Sequence, residues 1–175
     1  MTRTARSACI LMGAWLALTP FMWFAATRTY RSVDRVLAVN DPDFQAAIKP
    51  IHSQTSGDSI RPVLRHLASE INRSLFAGYS ATQIALGMAV LLLLFRSSPR
   101  DNVAVALTSA MLALVLLLAR FVQPQIVALG RQIDFGLPPA GIVHRFWTFH
   151  VIFTVLDGVK LILGLGVAVR AALRG

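Results

Sequence analysis

The chain has 175 residues, is 55% hydrophobic and only 14% charged, and has a mean hydropathy of +0.62. Soluble domains carry about a quarter charged residues, so this composition excludes an ordinary soluble domain, and the length sets a single one. The formal net charge is +9, from 17 Lys+Arg against 8 Asp+Glu. These charges cluster between long apolar runs, a pattern that fits anionic lipid headgroups and not nucleic acid, for which no motif is present.

The single cysteine, Cys9, excludes an internal disulfide and any CxxC metal site. Arginine supplies nearly all the basic residues, as in proteins of GC-rich bacterial genomes.

Residues 8–26 carry no charge and are long enough to cross a ~30 Å hydrocarbon core at ~1.5 Å per residue. Arg3 and Arg6 ahead of this run resemble a signal peptide, but the run is long for one and lacks an A-x-A cleavage site. We expect a retained signal-anchor helix.

The connection that follows, residues 27–73, is long, and its middle, residues 40–59, is polar and turn-like. Over residues 60–72, Val63, Leu64, Leu67 and Ile71 recur at helical spacing, with Arg61, Arg65 and Glu70 on the other side. That predicts an amphipathic helix, either lying at the interface or extending the next span outward.

The second span is residues 74–95, followed by a tight turn over 96–102 in which Ser97-Ser98-Pro99 breaks the helix and Asp101-Asn102 caps the next. The third span covers residues 103–122, with Arg120 near its far end. Gly136-Leu137-Pro138-Pro139 makes the last connection irregular. The fourth span, residues 146–169, contains His150, Asp157 and Lys160. Lipid cannot satisfy backbone N–H and C=O groups, so every span must be helical. The predicted fold is an all-α integral membrane four-helix bundle with a long first connection containing an amphipathic helix. Its halves show no repeat of the kind inverted-repeat transporters carry.

Orientation follows from the short segments. Arg3, Arg6, Arg96, Arg100, Arg170 and Arg174 share one side, which the positive-inside rule assigns to the cytoplasm, so N-in and C-in in a bacterial inner membrane is expected. Arg28, Arg31 and Arg35 argue the other way.

Two constellations stand out. His150, Thr154, Asp157, Leu161 and Gly164 fall on one helical face of the fourth span, and Lys160 lies one turn beyond Asp157. Ionisable groups inside a span cost roughly 2.5–3.5 kcal/mol each, so they face protein or a water cavity. The polar seam of His150, Thr154, Asp157 and Lys160 is read first as glue between helices, with a buried relay or ligand site as the alternative.

The second constellation, His66, Glu70 and Arg73, shares a face before the second span and is read as an interfacial ion pair. A diiron bundle needs Glu-x-x-His on two helices and neither occurs, so no metal is expected. His150 is the best candidate for a haem or chlorophyll ligand, though no cofactor is predicted. No nucleophile elbow, P-loop, dinucleotide fingerprint or zinc-protease helix is present, and the chain is not expected to be an enzyme.

On Pro124-Gln125-Ile126, Phe146-x-x-x-His150, Asp157-x-x-Lys160 and the segment Glu70-Ile71-Asn72 through Leu75-Phe76, the chain resembles a family of small four-helix membrane proteins of unknown function. A human transmembrane protein linked to drug resistance belongs to that group. The resemblance touches roughly the last two-thirds of the chain and implies a fold but almost no biochemistry. The first connection is longer than the family needs.

Two functions are therefore expected in turn. One is a non-enzymatic accessory or structural subunit of a larger membrane complex, with the bilayer and other membrane subunits as partners. The other is a small transporter or channel lined by His150 and Asp157; behind these two stand a haem- or chlorophyll-carrying subunit of an electron-transfer or photosynthetic complex and an enzyme of lipid metabolism.

Overall fold

Long uninterrupted helices dominate the computed structural model, which describes residues 3–39, 42–44, 46, 49, 60–97, 99–134 and 138–174. Helix α1 is Arg3–Ala38, α2 is Ile60–Arg96, α3 is Asn102–Leu117, α4 is Gln123–Ile133 and α5 is Ala140–Arg174. A π-helical turn, Leu118–Val122, joins α3 to α4 into one long rod. No strand occurs among the described residues, and four helices there are long and apolar enough to cross a membrane. Most of the polar middle of the first connection lies outside the described residues, as do Ser98 and Gly136-Leu137 of the later ones.

The rods form a ring in which α1 neighbours α2, α2 neighbours α3, and α5 packs on α3, α4 and α1. Neighbours run antiparallel. Along α1 and α2, Trp15 meets Gln83, Thr19 meets Tyr79, Ala26 meets Asn72 and Tyr30 meets Ser69, so one chain ascends as the other descends. This is an up-down-up-down arrangement.

Two local sequences explain the ends and the bend of the third rod. Asp101 accepts from the amides of Val103 (3.1 Å) and Ala104 (3.2 Å), so it caps α3, and Arg170 of α5 clasps the same carboxylate at 2.8 Å. The π turn has its cause in Pro124, which lacks the N–H that would reach the Arg120 carbonyl and whose ring crowds that carbonyl. Widening the turn, with the Gln123 amide bonded to the Leu118 carbonyl, relieves the conflict. The sequence signalled the third span but not this bulge.

The segment 60–72 is about the first three and a half turns of α2 itself, so of the two placements expected for it the structure has the extension of the second span. The apolar face named from the sequence points away from α1. Ile60, Ala68, Ser69 and Asn72 are buried, Leu64 is half-buried, and Val63, Leu67 and Ile71 are exposed. The small and polar side chains face inward because α1 approaches closely there, and the large apolar ones are left outside.

The core is layered along the bundle axis. One apolar layer gathers Met12, Trp15, Val90, Met111, Val115 and Val167. Another gathers Met22, Leu118, Val122 and Phe153, with Tyr79 at its edge. Between them lies a polar layer.

Candidate functional site

In α5 the buried positions are Phe153, Asp157, Lys160, Gly164 and Val167. Offsets of four and three alternate, so this stripe is the seam of an inward helix face. It carries a carboxylate and an ammonium into the centre of the bundle, both with no exposed surface.

Lys160 Nζ donates to the Asp157 carboxylate, to Gln83 Oε1 and, at 3.1 Å, to Tyr79 Oη. Tyr79 gives its one proton to Asp157, 3.1 Å away at Oδ2, and its oxygen also receives the Thr19 hydroxyl at 3.0 Å. Gln83 Oε1 takes a second donor, the Trp15 indole N–H, at 3.2 Å. Three helices therefore meet at one closed network, and all three protons of the ammonium are taken. The ammonium also lies 5.2 Å from the Tyr79 ring centroid.

The expected seam divides here. Asp157 and Lys160 belong to this network, whereas Thr154 is exposed and its hydroxyl bonds the His150 carbonyl of its own helix at 2.9 Å. Thr154 falls on the expected face because it lies four residues after His150 and three before Asp157. The true stripe runs through Phe153, one residue earlier, which the 3.6-residue period favours from Asp157 backwards.

His150 stands apart, half-buried, stacked on Phe146 (5.8 Å between centroids) and edge-on to Trp147 (5.6 Å). Its Nδ1 is buried without a hydrogen-bond partner.

The second constellation comes together around a residue the sequence reading missed. Arg73 bridges Glu70 (2.6 Å) and Asp134 (2.7 Å), His66 Nδ1 lies 2.9 Å from the same Asp134 carboxylate, and Arg131 reaches Glu70 at 3.4 Å. Asp134 ends α4 and is the one acid between Asp101 and Asp157, which is the signal that was available. The guanidinium groups of Arg131 and Arg73 hold the Glu70 carboxyl below its usual range. This cluster lies outside the apolar run 74–95 and locks the start of α2 to the end of α4. His66, Glu70 and Asp134 offer ligand atoms within 4.8 Å of one another, but Arg73 already lies on both carboxylates. A cation there would have to displace a guanidinium.

No protein-family model, curated protein or solved structure matches the chain.

Proposed function

We propose that this chain is a multi-pass protein of a bacterial inner membrane, N-in and C-in, serving as a non-enzymatic accessory or structural subunit of a larger membrane complex. The closed network at Lys160 carries the reading. An ion path needs a site that can exchange partners, and here ammonium, carboxylate, phenol and amide satisfy one another with no free donor on the lysine. Such a layer fixes helix register, as glue does.

The membrane assignment is supported by the outer surface. Trp23, Phe24, Phe121 and Trp147 are exposed near one end of the apolar runs, as in an aromatic belt. Arg28 lies over the Phe24 ring at 5.0 Å, and Arg100 over Phe95 at 4.5 Å near the opposite end. From Arg73 to Phe95 along α2 is about 33 Å, close to the thickness of a hydrocarbon core.

Extraction in mild detergent followed by size separation tests this reading. A chain of 19.1 kDa should migrate with defined additional subunits in fixed stoichiometry. Migration alone would refute it. A second reading, a cofactor-carrying subunit, rests on the buried, unpartnered His150 Nδ1. A visible absorbance band lost on changing His150 to Ala would establish that reading instead.

A further inference from the structure

Beyond the apolar runs, α1 and α2 continue side by side as a two-helix arm, from residue 28 to Ala38 and from Ile60 to residue 73. Their pairing is held by Tyr30 with Ser69 (3.1 Å) and by Asp34 with Arg61 (2.8 Å). One side of the arm bears an apolar groove. Ser32, Val33 and Val36 form one wall, and Leu64, Leu67 and Ile71 the other. Leu67 is 55% exposed and Ile71 45%, and Val63 beside them 58%. Exposed large apolar side chains gathered in one place outside lipid mark a contact surface.

Two observations identify what covers it. The stripe of Val63, Leu67 and Ile71 runs on at four-residue steps into Leu75, which is 40% exposed at the start of the apolar run. The groove is thus the outward continuation of a lipid-facing stripe, and its natural occupant is a helix that itself emerges from the bilayer. The rim is basic. Ser32 on the wall has Arg28 one turn before it and Arg35 one turn after it, and Arg31 lies next to it in the chain. All three arginines are exposed, and Arg31 and Arg35 make no ion pair among the described residues. The acids of the arm are already paired, Asp34 with Arg61 and Glu70 with Arg73.

We infer that the groove between Ser32–Val36 and Leu64–Ile71 docks a transmembrane helix of a partner protein where it leaves the bilayer, apolar on one side and carrying Asp or Glu beside that side. Thr29 to Val36 rises about 10 Å, enough for two turns of such a helix. Two copies of this chain would bring their arginine rims together, and the groove lies beyond residue 26, where the uncharged run of α1 ends. The inference rests on the subunit reading above and names the surface by which the subunit is held.

Site-specific photo-crosslinking in intact cells tests it. A photoreactive amino acid is placed at Leu67 or Val36, with Ile162, 68% exposed on α5, as the lipid-facing control. The expected result is a cross-link from Leu67 and Val36, but not Ile162, to one mapped segment of another membrane protein. That segment follows an apolar span, has an apolar face and carries acids. Arg31→Glu with Arg35→Glu should lower the yield severalfold, and Leu67→Asp should release the partner while the thermal stability of the purified chain is unchanged. Cross-links to lipid alone, to another copy of this chain or to a basic segment would overturn the proposal. So would a complex of unaltered size in the Leu67→Asp variant, which leaves the subunit reading standing. A wild-type chain that migrates alone in mild detergent overturns both.

Discussion

An ammonium group in the middle of a helix bundle is tolerable only when each of its protons has an acceptor, and Lys160 meets that condition with Asp157, Gln83 and Tyr79. Its stability is conditional on all of them. Removing Asp157 as Asp157→Ala strands the lysine, and the loss of one partner from a buried pair costs about 3–5 kcal/mol. Replacing both members, Asp157→Asn with Lys160→Met, removes the charges together and should cost clearly less. Unfolding of the purified protein in detergent measures both. A double variant as unstable as the single one would show that pairing is not what the two residues supply. The pair was legible because ionisable residues in an apolar run must find each other or a neighbour. Trp15 and Thr19 were not, since an indole and a hydroxyl in a first span are ordinary there. Only the antiparallel register of α1 on α2 brings them to Gln83 and Tyr79.

Helix contacts in this bundle rely on small residues, which let helix backbones approach closely. A Cβ at Gly87 would lie 2.8 Å from the Trp15 ring, and one at Gly164 would lie 2.3 Å from Leu16 Cδ2. The closer contact is the softer one. Leu16 and Met111 beside Gly164 end in flexible groups, whereas the Trp15 indole is fully buried and tied to Gln83. Gly87→Ala is therefore expected to cost about 1–3 kcal/mol, in the range of overpacked cores, and Gly164→Ala less. Tryptophan fluorescence should change with Gly87→Ala, and thermal unfolding ranks the two. The reverse ranking would mean that Trp15 has room to move. At this scale the sequence was readable in its four long apolar helices and in the Asp101 cap, both of which rest on local chemistry. Over residues 60–72 the apolar stripe of Val63, Leu67 and Ile71 was readable, but not the inward face, where close approach to α1 puts Ala68 and Asn72 inside. Close packing selects for smallness, and a hydrophobicity pattern does not register it.

For the molecule as a whole, the open quantity is which way the bundle faces, and the two ends differ in how their charge is carried. At the end with the chain termini, Arg96 and Arg100 flank a turn of a few residues, and Arg170 is anchored to Asp101. Basic residues on short segments beside a span weigh most in fixing orientation. At the other end Arg28, Arg31 and Arg35 lie along a helical arm that leads into a long connection carrying acids. Arg61 and Arg73 are paired there with Asp34, Glu70 and Asp134. The compact end should face the cytoplasm. Reporter fusions after Gly175 should then be active in the cytoplasm, and fusions within residues 45–59 on the far side. Changing Arg96 and Arg100 to Gln should produce a mixed population, whereas changing Arg28, Arg31 and Arg35 to Gln should leave a single N-in form. Inversion of the wild-type reporters, or a mixed topology from the Arg28, Arg31 and Arg35 set alone, would show that the arm sets orientation. Neither outcome bears on the four helices long and apolar enough to cross a membrane, because their number rests on apolar length and not on charge.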